Sequence, residues 1–254
     1  WASYRHRPFH LGAYPTERLA RQSSAATPPT LPAMQPLVFD QANGHSIVHA
    51  MAPYMAMFDL IREGQLNPVQ GDVPGDQAER AAHIKSAAYY FDATFAGVCR
   101  IPKAAHLAQP IANPAVAELG QALAQSQPKS FAAGMDMILA DVIDASRMQH
   151  GPVDQHSHAL VLAVEYPRDP REDEPGCDWI HAAQAHRAAL LASQTAVLLS
   201  SYLRMLGFTA RAHSMTASEL DLPCLAWHAG LTDAHGNHPF VGRRMALAAV
   251  STEF

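Results

Sequence analysis

The run HALVLAVEYP, residues 158–167, has no polar side chain from Ala159 to Val164. A strand that met water on one face would alternate apolar and polar residues. A continuous apolar run is what a strand covered on both faces carries, so this segment is predicted to lie at the centre of a sheet. Working outward, RRMALAAVST (243–252) reads as a final strand, and ATFAGVCRIP (93–102) as a strand stopped by Pro102. FTARAHS (208–214) reads as a strand with Phe208, Ala210 and Ala212 on one face.

Helical spacing fills the intervals. Ala81, Ile84, Ala87, Ala88 and Phe91 recur at three and four residues behind an acidic first turn with Asp76 and Glu79. GMDMILADVIDASRMQH (134–150) repeats the pattern. From Asp178 to Leu206 there is neither Gly nor Pro, which predicts one helix of about eight turns, stopped where Gly207 supplies a left-handed residue. LDLPCLAWHAGL (220–231) predicts a short helix with Pro223 in its first turn and Gly230 at its stop. Helices and strands are interspersed without the close strand–helix–strand rhythm of a doubly wound sheet, which favours an α+β sandwich.

The 254 residues are 48% apolar, enough for a sizeable core. A net charge of -5 with no basic excess sets nucleic acid aside as a partner. No apolar run approaches the roughly 20 residues of a membrane span, and the N-terminus lacks the pattern of a signal peptide. Cys99, Cys177 and Cys224 are far apart, so no iron–sulfur cluster is expected on this chain, and a reducing, cytoplasmic compartment fits. The start at Trp1 rather than Met points to upstream residues having been removed.

Residues 1–40 differ from the rest. WASYRHRPFHLGAYPTERLARQ mixes aromatics with arginines, and the proline-rich TPPTLPAMQP stiffens the chain into an extended form, so 1–40 is predicted to be an extended N-terminal arm on a unit spanning 41–254.

The candidates for chemistry are few. His156 and His158 share a strand face, His181 and His186 are five apart, and His235 and His238 sit in a turn. None of these pairs makes a metal site, and no metal is expected. No glycine-rich phosphate loop and no Gly-x-Ser-x-Gly elbow occurs. Tyr89 and Tyr90 close a helix before the FAGVC strand, and Arg100 and Lys103 leave that strand. A tyrosine beside a cation can act as an acid; the alternative is a packed tyrosine with solvated cations. Arg211 beside His213 offers either anion recognition or a helix-end contact.

Five segments in order, HIKSAAYYFDATFAGVCRIPKAA, HALVLAVEYPRD, ASQTAVLLSSYLRMLGFTARAHS, LAWHAGL and PFVGRRMALAAVSTEF, resemble the cobalamin-domain region of reductive dehalogenases of the soluble catabolic type, and more distantly epoxyqueuosine reductases. RPFHLGAYPTERL resembles the start of the catabolic proteins. The resemblance implies a nitroreductase-like α+β sandwich, with a mainly antiparallel sheet, holding cobalamin non-covalently. It implies a tyrosine as proton donor with a basic neighbour, and electrons delivered by iron–sulfur clusters. Tyr90 is the positional match for the tyrosine and Lys103 the candidate base, while Arg211 and His213 are the candidates for contact with the cofactor. In the family the cluster cysteines come after the strand matching RRMALAAVSTEF, so an iron–sulfur, ferredoxin-like partner is expected outside this chain. The expected substrate is a small halogenated, aromatic compound, and a homo-oligomer is open. A second expectation is a non-catalytic structural copy of the domain that has lost cobalamin, and a third is a flavin enzyme of the same fold.

If the arm docks, deleting residues 1–40 uncovers surface that Trp1, Phe9 and Tyr14 had covered. The truncated chain is then expected to melt lower or to associate, as comparison of melting temperature and solution mass would read.

Overall fold

The computed structural model describes Leu31 and residues 34–125, 142–143 and 152–254. The strands are β1 (Phe95–Arg100), β2 (His106–Ile111), β3 (His158–Glu165), β4 (Ala210–His213), β5 (Ser218–Leu220) and β6 (Met245–Thr252). The helices are α1 (Val48–Leu60), α2 (Gln77–Tyr90), α3 (Pro114–Gln125), α4 (Cys177–Ile180), α5 (Gln184–Met205) and α6 (Leu222–His228). The main sheet has the order β1-β3-β6-β4 with every pair antiparallel, and β2 pairs with β5 in a second, two-stranded sheet. The expected α+β architecture, an antiparallel sheet with flanking helices, is therefore what the chain adopts.

HALVLAVEYP is central, as its composition predicts. All eight residues of β3 pair with β6, from His158 opposite Thr252 to Glu165 opposite Met245, and six pair with β1. The period of two sends Leu160, Leu162 and Val164 into one core and Ala159, Val161 and Ala163 into the other. On the first face lie α2 and α5. The alanines Ala188, Ala192 and Ala196 of α5 bring that helix close to Ala246, Ala248 and Val250 of β6. On the second face α6 contributes Leu222, Leu225 and Ala226 against Phe95, Leu247 and Ala249.

The helix ends obey local chemistry. Asp76 caps α2 by accepting from Ala78 N, and Asp221 caps α6 by accepting from Cys224 N. The single helix expected over 178–206 is two. Ala182 takes a positive φ of 55°, and the carbonyls of Asp178 and Trp179 are taken by Asn43 Nδ2 and Ile47 N instead of by the next helical turn. His186 Nδ1 then bonds the Ala182 carbonyl at the start of α5. The helices α1 and α3 and the β2–β5 pair carry no strong sequence signal; α1 contains Pro53, and β2 is largely exposed. Most of the arm (1–30 and 32–33) and most of the helix expected at 134–150 lie outside the described residues; Val142 and Ile143 are helical. At the described end of the arm, Leu37 N donates to Met215 O, and Phe39 meets His186 edge-on.

Gly207 ends α5 with φ 82°, as expected. The last carbonyls of the helix are taken by the loop 67–71, through Asn67 N, Asn67 Nδ2 and Gly71 N. A Cβ at Gly207 would stand 2.7 Å from Val69 O and Gln70 Cα. Gly207→Ala therefore combines left-handed strain with a backbone collision and is expected to cost about 2 kcal/mol or more, read as a lower urea midpoint. Gly75→Ala, which meets nothing within 4 Å, is the control and should change little.

Candidate functional site

On β4 the apolar Ala210 and Ala212 face the helices, so Arg211 and His213 necessarily share the opposite face. Both are buried, Arg211 at 5% exposure and His213 at 0%. Their partners arrive from two directions. Arg62 and Glu63 come from the end of α1, tied in by the bond from Ala212 N to Arg62 O, and Glu219 comes from β5 after the tight turn at Ser214–Ala217.

Glu219 is the hub. Its carboxylate takes both Arg62 Nη groups, at 3.0 and 2.5 Å, stands 3.4 Å from Arg211 Nη1 and lies 3.3 Å from His213 Nδ1. Arg211 Nε also pairs with Glu63. Burial alone would raise the Glu219 carboxyl, but the hydrogen bond from His213 and the pairing with Arg62 outweigh it and hold the group below the usual carboxylate range. Burial lowers His213 to about 4 against the opposing pull of Glu219, so the ring is neutral near pH 7.

A neutral His213 that donates from Nδ1 to Glu219 must accept at Nε2. Its partner there is Ser251 Oγ at 2.8 Å, which in turn lies 2.7 Å from His156 Nδ1. The order acid–histidine–serine matches that of a nucleophilic triad. Ser251 and His213 are wholly buried, however, and the serine oxygen is also engaged by His156, so no substrate can reach it. What this arrangement does chemically is satisfy buried charge across β4, β5, β6 and the end of α1.

A second buried carboxylate extends the network. Asp59, at 4% exposure, accepts from Ser214 Oγ (2.7 Å), Thr216 Oγ1 (2.5 Å) and Asn113 Nδ2 (2.9 Å). Burial pushes its carboxyl up, and these hydrogen bonds pull the other way. Arg204 lies buried with its guanidinium on the carbonyl of Ala210 and the hydroxyl of Ser200, and burial lowers it to about 10.

The structure thus brings Arg211 and His213 together, as their spacing predicts, and adds Arg62, Glu63, Glu219 and Ser251, which sequence reasoning missed. Only Glu219 carried a signal, as the carboxylate nearest in sequence to that basic pair. Tyr90 and Lys103 are not brought together. They flank opposite ends of β1, whose six residues span ~20 Å, and both are exposed, Tyr90 at 76%. The buried neighbour is Tyr89, whose hydroxyl accepts from Ala96 N. Cys99 is buried among apolar side chains, which pushes its thiol up to about 12. Among the described residues no group of three His, Cys, Asp or Glu side chains could hold a metal.

No protein-family model and no curated protein matches the chain. Solved structures do. The catabolic reductive dehalogenase NpRdhA superposes with a TM-score of 0.67 at 30% identity, over 99% of this chain and 30% of that one. Along its length the chain is similar to one region of the reductive dehalogenases. The likeness holds for NpRdhA in complex with 3-bromo-4-hydroxybenzoic acid, at a TM-score of 0.66 and 29% identity. It holds again, at 0.67 and 30%, for a reductive dehalogenase structure described as suggesting a mechanism for B12-dependent dehalogenation. In each case this chain spans about 30% of its relative's length. No described helix is long and apolar enough to cross a membrane.

The buried histidine sets a pH dependence. With its folded value near 4 against an ordinary 6.5, His213 takes up its proton only on unfolding, so stability is full above about pH 6.5 and falls as pH drops toward 4. The loss from this group is on the order of 3 kcal/mol, and His238, also near 4, adds in the same direction. Urea unfolding at stepped pH is expected to give a smaller slope over pH 4–6.5 in His213→Gln than in the wild type.

Proposed function

We propose that this chain is the cobalamin-domain-like part of a reductive dehalogenase that removes halogen from organic, aromatic compounds, with electrons delivered by an iron–sulfur module outside the chain. The observation that carries this reading is the likeness to catabolic reductive dehalogenases along 99% of the chain. Cobalamin, when bound, would supply the cobalt that takes the halogen or the carbon. A cytoplasmic setting belongs to the same reading.

Within such an enzyme, the geometry favours a bracing part over the cofactor-holding one. The residues matched to the cofactor do not fit it, because Arg211 and His213 are buried and spent on Glu63, Glu219 and Ser251. Tyr90 and Lys103, exposed and at opposite ends of β1, do not form an acid with its basic neighbour. No catalytic step is therefore assigned to these four residues.

A separate observation supports bracing. Leu191, Leu198, Tyr202 and Met205 lie exposed along one stripe of α5, at 36%, 43%, 49% and 68%. Steps of seven, four and three residues keep them on one helical face, and an exposed apolar stripe of this kind marks a contact surface.

Titration of the purified chain with hydroxocobalamin, with visible spectrum and calorimetry as readouts, separates the two roles. The bracing role predicts no spectral change and no saturable heat. Tight binding with loss of the lower axial base from the spectrum would assign this part to the cofactor instead.

A further inference from the structure

On the sheet face that carries α2 and α5, a cleft of about 50 Å³ lies between the first turns of α2 and the ends of β1, β3 and β6. Much of its wall is apolar: Ile84, Leu160 and Leu203 are buried, and Val98 of β1 stands beside them. The other end is cationic. Arg80 and His158 line it, and Arg100 lies directly opposite His158 in the β1–β3 register. The period of two puts Arg100 on the face of Val98 and His158 on the face of Leu160, so both belong to the side of the sheet on which the cleft opens.

These cations lack a counter-charge. Nε of the half-buried Arg80 is shut off from solvent and makes no hydrogen bond among the described residues. No Asp or Glu lines the cleft, and among the described residues neither Arg80 nor Arg100 has an ion-pair partner. Neighbouring carboxylates in the chain are engaged elsewhere: Asp76 accepts from Ala78 N, Glu79 stands beside His83, and Glu253 accepts from Thr209 N. The Arg80 guanidinium lies over the Phe254 ring, 5.2 Å from its centroid, which limits where the group can go. Burial, and after it the charges of Arg100 and Arg80, hold the His158 ring below its ordinary value. Positive groups gathered in this way, with a buried donor left over, are what an anion site presents to its ligand.

We infer that this cleft binds a short-chain aliphatic monocarboxylate of the acetate or propionate class, its carboxylate among Arg80, Arg100 and His158 and its alkyl tail against Ile84, Val98, Leu160 and Leu203. A guanidinium matches two carboxylate oxygens through parallel hydrogen bonds, and the edge that includes Nε would give the buried Arg80 donor its acceptor. The divided lining decides the class of anion. Phosphate or sulfate carries oxygens on every side, and those against Ile84 and Leu160 would be buried without donors, whereas a carboxylate keeps both oxygens at one end. Size sets the tail: an apolar cavity of about 150 Å³ holds benzene, so 50 Å³ takes about two or three carbons and no ring. The site uses none of Tyr90, Lys103, Arg211 and His213, and it stands whether or not the chain takes cobalamin.

The test is titration of the full 254-residue chain, free of cobalamin, with propionate, acetate, the neutral propionamide and inorganic phosphate, at an ionic strength held constant with chloride. The readouts are heat and the histidine ring signals in the NMR spectrum, His158 being assigned from the signal missing in His158→Gln. Propionate is expected to bind saturably, about fourfold tighter than acetate for its one further buried CH₂ and about tenfold or more tighter than propionamide. A carboxylate beside His158 favours the protonated ring, so bound propionate should raise its titration midpoint by about half a pH unit or more. Arg80→Gln should weaken propionate by about tenfold, and Arg100→Gln, at an exposed position, by a smaller factor, with melting curves confirming the fold of both. The inference is overturned if propionate does not bind saturably, if propionamide or phosphate binds as tightly, or if neither arginine variant weakens propionate. Because this titration uses a small acid and a cofactor-free chain, it and the cobalamin titration can each fail without the other.

Discussion

The antiparallel ladder of β3 and β6, eight residues long and buried on both faces, is the constraint on which the rest of the chain depends. Its backbone groups can be satisfied only by neighbouring strands, so β1 and β4 have to flank it. Its side chains must fit between helices on each face. The alanines at 246, 248 and 249 of β6 let α5 and α6 approach closely. Larger residues there would push the helices off the sheet, since cores at native density have little space to give.

The same constraint explains the buried charge. β4 is an edge strand of that sheet, and its second face, with Arg211 and His213, is sealed by β5 and the end of α1. Charges in such a place are tolerated only when paired and hydrogen-bonded, and Glu219 with Arg62, Glu63 and Ser251 provides this. A network so fully engaged with itself holds the β4–β5 turn and the α1 terminus in register. It has little left to offer a ligand.

Relatedness to the reductive dehalogenases and the internal packing bear on different questions. The likeness along the chain says which scaffold this is. The exposed stripe on α5 and the internal pairing of Arg211 and His213 bear on what part such a scaffold plays within a longer protein. A fold can be kept while the site on it is given up, because core packing and cofactor contacts draw on different side chains.

The sequence by itself determined the central strands, the helices α2 and α6, the stop at Gly207 and the α+β class, because each rests on local periodicity or on a backbone conformation that few residues can adopt. It also put Arg211 and His213 on one face, since a strand alternates. Only the tertiary structure decided that these two meet Glu219 and Glu63, that Tyr90 points to solvent, and that the expected 178–206 helix breaks at Ala182. In each of these the deciding partner is distant in sequence or on another element. Glu63 approaches Arg211 across nearly 150 residues, and Asn43 and Ile47 take the carbonyls that would have continued the helix. Periodicity reports only what a segment prefers alone; which distant groups satisfy its polar atoms is settled when the layers close.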